Sequence, residues 1–316
     1  MDPLTHALSG MAGSLCQPSH TKRHHLFCMI AASLPDIDNL AFLFGEEAYL
    51  LHHRGFCHSF VGGFFLAAIL VWVARLFDNT LKWRNYFFVA YAFIGLHLFL
   101  DVITSYGTQI FLPFSNVRYS IPCVFIIDFL LTGVLVAGVI WACFHIKYRQ
   151  LIASITLGFI LIYPGFCKTI QYIQLERSKT VFSQGTESFT SITVLPAFFA
   201  PLYWKIIIEK ENSYELRHLS ILADVMLSQA YIYTKADLKQ MIRWVPQVRF
   251  IKTFDWFVDF PAERRQKIDQ MHCISIFDLK FISAHPWIER LRDVERMPFQ
   301  LHLFFNDHHQ FVNYRF

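Results

Sequence analysis

The sequence predicts a membrane α-helical bundle of five to six membrane helices over residues 1–167, followed by a small α+β extramembrane domain over residues 168–316. Three observations predict it. Apolar residues make up 54% of the 316 and charged residues only 16%, and mean hydropathy is +0.36, a balance that favours a membrane protein over a soluble one. The charges are unevenly placed: residues 1–167 hold 9 of the 28 Lys and Arg and 8 of the 24 Asp and Glu, which leaves the second part with the balance of a soluble domain. The first part also contains apolar runs close to the ~20 residues a helix needs to cross a bilayer.

Leu4 to Cys16 is a short apolar stretch opened by Asp2-Pro3, which suits the cap and first turn of a helix. Leu26 to Phe44 is the next candidate span, interrupted by Pro35-Asp36-Ile37-Asp38. Ser59 to Phe77 and Tyr86 to Thr104 follow, then Ile121 to Phe144 with a single charge, Asp128, and finally Leu151 to Cys167. Beyond residue 168, Thr190 to Leu195 and Tyr203 to Lys210 read as strands, the second pairing with Tyr214 to Ile221 across a Glu211-Asn212-Ser213 turn. Ala236 to Val245 and Arg264 to Met271 read as helices, and the tail from Pro298 is strand-like again.

The loops alternate in charge. Loops 17–25, 75–85 and 145–150 carry two, three and two Lys or Arg, whereas loops 45–58 and 105–120 carry one each. The positive-inside rule puts the first set in the cytoplasm. The domain from residue 168 is then expected on the outer face, which is the periplasm in a Gram-negative cell. The net charge of +4 is dispersed, without a basic block, so nucleic-acid binding gets no support. Seven cysteines include no CxxC pair, so neither a zinc ribbon nor a redox motif is indicated.

The chemistry lies in ionisable residues within the apolar part. His97 and Asp101 are four apart, so on a helix they share a face about one turn from each other. An imidazole and a carboxylate so placed are ligand types for zinc, iron or manganese, or else a packing hydrogen bond. A central Asp costs ~2.5–3.5 kcal/mol on insertion, and Asp36, Asp38, Asp101 and Asp128 all lie in candidate spans almost devoid of Lys and Arg. A bound divalent cation is the compensation that fits. On the topology above, these residues and His53, Arg54 and His58 reach one layer near the outer face, joined by Asp2 and His6 if the first helix runs inward. His20, His24, His25 and His145 fall on the opposite side and read as surface residues.

Asp2-Pro3-Leu4-Thr5-His6, Leu34-Pro35-Asp36-Ile37-Asp38, His53-Arg54-Gly55-Phe56-Cys57-His58-Ser59, His97-Leu98-Phe99-Leu100-Asp101 with Thr104-Ser105-Tyr106-Gly107-Thr108, and Ile127-Asp128 together resemble the YdjM-type family of membrane-bound, metal-dependent hydrolases. Pro196 to Trp204 resembles a segment of that family's outer domain. A weaker similarity, carried by His97 and Asp101, is to the all-helical zinc-dependent phospholipase C group, which implies a phosphoester substrate in lipid. The resemblance implies a hydrolase acting at the membrane–water interface on a small-molecule or lipid-linked substrate, with the bilayer as its partner.

The expected ligands are Asp36, His58, His97 and Asp101, with His6, His53 and Asp128 completing a second ion or supporting the first. Zinc is the first expectation, with manganese or magnesium as alternatives, and one to two or more ions. Asp38 is the expected general base, Arg54 a clamp for a phosphate or carboxylate with Arg118 as a second, and Ser105, Tyr106 and Thr108 groups that orient water or leaving group. Two competing readings use the same residues: a metal-binding membrane transport or binding protein without hydrolysis, and a purely structural knot.

Overall fold

The computed structural model describes residues 1–18, 21–184, 188–222, 229–268, 271–282 and 298–316, in two units, Met1–Lys168 and Thr169–Phe316. Helix α1 (Pro3–Leu15) starts where expected, because the Asp2 carboxylate accepts from the Thr5 amide at 3.0 Å and Pro3 needs no partner in the first turn. Helix α2 (Lys22–Ser33) runs into a 3-10 stretch (Leu34–Phe44) at Pro35, so the interruption read from the sequence is a tightening rather than a break. Helix α1 lies against α2 at backbone distance: a Cβ on Gly10 would sit 2.6 Å from the Cys28 carbonyl oxygen, and one on Gly13 would strike the Phe93 ring.

A short helix α3 (Glu46–His52) occupies the polar loop, followed by α4 (Phe60–Phe77) and α5 (Trp83–Val102). Helices α2, α4 and α5 meet through small residues, Ala31, Ala32, Ala67 and Ala90 around Val71 and Ile94, as helices do where lipid removes the hydrophobic incentive to associate. Among the described residues, four segments are long and apolar enough to cross a membrane: Lys22–Phe44, Phe60–Phe77, Trp83–Val102 and Ile146–Ser183. The expected five to six is thus not reached at full length, since α1 has 13 residues and α6 (Phe129–Phe144) has 16.

The span expected to begin at Ile121 starts eight residues later. Before it, the Ile121 amide donates to the Val102 carbonyl at 2.7 Å and those of Cys123 and Val124 to Ile103 at 3.1 Å, so that backbone is tied to the end of α5. The next helix, α7 (Arg149–Ser183), runs far past Cys167 and through Pro164, because the Gln, Leu, Glu, Arg and Lys that follow are good helix formers. His24, expected on the surface, is 5% exposed and bonds to Gln17 and Cys28.

The second unit is an eight-stranded antiparallel sheet in which every strand pairs with its sequence neighbour, β1 (Ser191–Pro196), β2 (Tyr203–Glu209), β3 (Ser213–Ser220), β4 (Ala230–Lys235), β5 (Pro261–Ile268), β6 (Met271–Asp278), β7 (Leu301–Phe305) and β8 (Phe311–Arg315). Helices α8 (Leu238–Trp244) and α9 (Phe250–Phe257) fill the β4–β5 connection, and α9 buries Phe250, Ile251, Phe254 and Phe257 on one face. The helix expected over Arg264–Met271 is a correction. Its Arg, Gln and Lys favour a helix, but pairing with β6 along the whole of β5 overrides that preference.

Buried Lys205 holds the turn after β6. Its Nζ donates to the carbonyls of Leu279, Lys280 and Ile282 at 3.1, 2.5 and 3.0 Å. Lys205→Met, which keeps the volume and removes the donors, is expected to destabilise this unit by about 2 kcal/mol. Pulse proteolysis of the full chain across a urea series checks this; an unchanged midpoint would contradict it.

Candidate metal centre

Asp36 comes from the 3-10 stretch, His58 from the turn before α4, and His97 and Asp101 from successive turns of α5. One ligand atom from each lies within 4.8 Å of all the others. His58 Nε2 is 3.0 Å from His97 Nε2 and 3.2 Å from Asp101 Oδ2. His97 Nε2 is 3.5 Å from the same Oδ2, and Asp36 Oδ1 is 3.5 and 3.7 Å from the two imidazoles.

The outer partners decide what these atoms can do. His97 Nδ1 lies 2.7 Å from the Ala32 carbonyl, which can only accept, so that nitrogen carries the proton and Nε2 presents a lone pair. His58 Nδ1 lies 2.7 Å from Asp38 Oδ2, which fixes the matching tautomer. Asp101 Oδ2 is fully buried and makes no hydrogen bond among the described residues. Acceptors therefore converge on one point, an arrangement that a cation satisfies. Without a cation a proton on His58 takes that place: burial disfavours the imidazolium, but its interactions with Asp101, Asp36 and Asp38 outweigh burial and carry its pKa up to about 10, so a bound ion would displace that proton. The donor set of two imidazoles and two carboxylates suits zinc, manganese or iron.

Asp38 stands one layer back. Besides His58, it accepts from the Arg54 amide at 3.0 Å and meets His53 Nδ1 at 3.0 Å. Both oxygens are thus engaged, and the Asp38–His58 pair has the carboxylate–histidine arrangement that would orient His58 toward a bound metal ion. Asp38→Asn is expected to weaken metal affinity by about 10–100-fold with the fold intact. Competition against a chromophoric chelator reads this, and wild-type affinity in the variant would refute it.

Arg54 is buried, and both terminal nitrogens of its fork are engaged within the protein. Nη2 pairs with Asp101 Oδ1 at 2.9 Å, and Nη1 donates to Thr104 Oγ1 at 2.8 Å and to the Asp101 carbonyl at 3.3 Å. It therefore holds Asp101 from the side opposite the imidazoles. Tyr106 lies between the guanidinium groups of Arg54 and Arg118, each 4.9 Å from the ring centre, and burial pushes its phenol pKa upward. His6 stacks on His97 at 3.6 Å, with Nε2 3.3 Å from Asp101 Oδ1 and 3.1 Å from the Met1 amine, which also bonds Asp101.

The remaining sequence-derived residues are distributed around this point. His53 lies outside the four, pairing with Asp38 and stacking on Tyr49 at 4.8 Å. Asp128 is also outside them: it caps α6 through the Leu131 amide at 2.9 Å and accepts from the Tyr163 hydroxyl at 2.9 Å. Ser105 is half-buried, and Thr108 is buried with its hydroxyl unpartnered among the described residues. Thr104 and the Ala32 carbonyl hold the site although the sequence reading gives neither a role. Thr104 was discoverable from its place one turn after Asp101, whereas a backbone carbonyl leaves no signature.

Residues 1–174 match the profile of the YdjM inner membrane protein family, more than half of the chain and all of the residues above. The chain belongs to that family. A relative of the family member described here is the "Uncharacterized protein YfhP" of Bacillus subtilis (strain 168), 25% identical over 207 residues, which are 62% of each chain. The chain thus spans less than two thirds of that relative's length. No solved structure matches.

Proposed function

We propose that this YdjM-family protein is a membrane-embedded, metal-dependent hydrolase that acts at the membrane–water interface on a lipid-linked or phosphoester substrate. The observation that carries the reading is the convergence of His58 Nε2, His97 Nε2, Asp101 Oδ2 and Asp36 Oδ1 with the two imidazole protons directed away. A divalent ion bound there, zinc in the first instance, supplies Lewis acidity and a water activated near neutral pH.

The chain's own residues do the holding. Asp38 and the Ala32 carbonyl set the tautomers of His58 and His97, and Arg54 neutralises part of the charge of Asp101 and fixes its rotamer. In this reading Asp38 orients His58 rather than acting as the free base, and Arg54 positions a ligand rather than clamping substrate. The charge pattern of the loops supports a periplasmic second unit, which a reporter fused after Phe316 tests: cytoplasmic behaviour of the reporter overturns it.

The decisive experiment purifies the chain in nanodiscs, measures bound metal, and assays generic phosphodiester and acyl-ester lipids. Turnover that needs metal and is lost in Asp101→Asn with the fold retained is the expected result. Full metal loading with no turnover on a broad lipid panel would favour a binding or transport role instead.

A further inference from the structure

We propose that the metal centre opens sideways into the bilayer, through Asp36, so that its substrate is an amphiphile whose head reaches the site while its acyl chain stays among lipid. This rests on the hydrolase reading for its chemistry but not for its geometry. Three of the four converging side chains have no exposed surface; Asp36 alone is accessible, at 18%. The opening of the site is therefore where Asp36 reaches the surface.

That surface is apolar. With three residues per turn, Asp36 shares its face with Asn39 and Phe42, which is 66% exposed, and the adjoining face carries Ile37, Leu40 and Leu43 at 48%, 57% and 74%; Ile30, seven residues before Ile37, is 41% exposed. Large apolar side chains standing together at such exposure mark an interaction surface. They are continuous with Lys22–Phe44, one of the four segments fit to cross a membrane, which identifies their occupant as lipid. Charge returns only at Glu46 and Glu47, beyond Gly45. The one exposed amide between, Asn39, is turned onto the Asp36 carbonyl at 3.0 Å and leaves the carboxylate uncovered.

A water-soluble substrate would meet an acidic or basic rim; this rim offers hydrocarbon contacts beside a single carboxylate. An amphiphile satisfies both, since its chain stays in the bilayer and only its ester or phosphoryl head leaves it. Lateral access also keeps the buried imidazoles away from bulk water, where charged and hydrogen-bonded groups act more weakly.

The test places nitroxide labels at Leu40→Cys, at Glu47→Cys and at Ile69→Cys, in a chain whose Cys16, Cys57 and Cys143 are serine, reconstituted in nanodiscs. Collisional relaxation by oxygen, which concentrates in lipid, is compared with that by a water-soluble nickel chelate. The Leu40 label is expected to favour oxygen several-fold, as the Ile69 label on the lipid-facing side of α4 does, with the order reversed at Glu47. A Leu40 label that behaves like the Glu47 label overturns the proposal.

A second measurement uses unmodified, zinc-loaded protein. Stripping by the lipid-soluble chelator TPEN is expected to outpace stripping by EDTA several-fold, and equal rates would also overturn the proposal. If no zinc binds, the hydrolase reading fails on its own, and the Leu40 comparison still decides where the opening lies.

Discussion

Replacing Arg54 with methionine is expected to destabilise the membrane unit by up to about 3–5 kcal/mol, because it leaves a fully buried carboxylate with the Met1 amine as its remaining cation. Asp101 is wholly inaccessible, and its Oδ1 lies 2.9 Å from Arg54 Nη2. Arg54→Lys keeps the charge but lacks the planar fork that spans Asp101 and Thr104, so an intermediate loss is expected. Added zinc should recover part of the loss in Arg54→Met, since a bound dication also compensates Asp101. Thermal unfolding in detergent, with and without zinc, checks this. An Arg54→Met protein that melts with the wild type in the absence of metal would show that Asp101 is compensated by something else.

His97→Ala is expected to have the largest effect on metal. It removes one of four donors, so the loss should exceed the about 10–100-fold that follows removal of an outer partner such as Asp38. It also removes the ring on which His6 stacks at 3.6 Å, and so loosens the contact between α1 and α5. Metal-to-protein ratio after dialysis against a competing chelator is the measurement. Wild-type retention in His97→Ala would dismiss the four-residue assignment, whereas parallel loss in His58→Ala would strengthen it.

Much of the candidate site was legible because polar residues in an apolar run announce themselves. His97 and Asp101 share a helical face by spacing alone, and Asp36 and Asp38 interrupt a span beside a proline; His97, Asp101 and Asp36 lie in the group that could hold a metal ion, and Asp38 bonds His58 beside it. The division of labour among them was not legible. Whether Asp36 or Asp38 faces the ligand depends on how the 3-10 stretch turns its carboxylates, and Asp38 is drawn back by His53, His58 and the Arg54 amide. The same holds for Arg54, whose left-handed backbone (φ 57°) and internal partners belong to the tertiary structure.

Asp128 shows how an error in an element's start propagates. An apolar run from Ile121 suggests a helix with Asp128 inside it, yet backbone bonds to the end of α5 consume the first residues, and Asp128 becomes the cap of α6. In the second unit β1, β2 and β3 are readable from their Ile, Tyr and Trp, whereas β4 and β6 are not and β5 reads as a helix. Its Glu, Arg, Gln and Lys say helix, and only the neighbours on both sides make it a strand.

The order of the sheet has a consequence for synthesis. Each of β1 to β8 hydrogen-bonds to the strand before or after it in the chain, so no strand waits for a partner from the far end of the unit. Pairing of this kind has a low loop-closure penalty and proceeds from local contacts. A domain that follows a set of membrane helices emerges from its N-terminal end, and this one can grow strand by strand as it appears, with α8 and α9 between β4 and β5. Until the next strand arrives, the open edge at each stage is the only unpaired one the growing sheet adds.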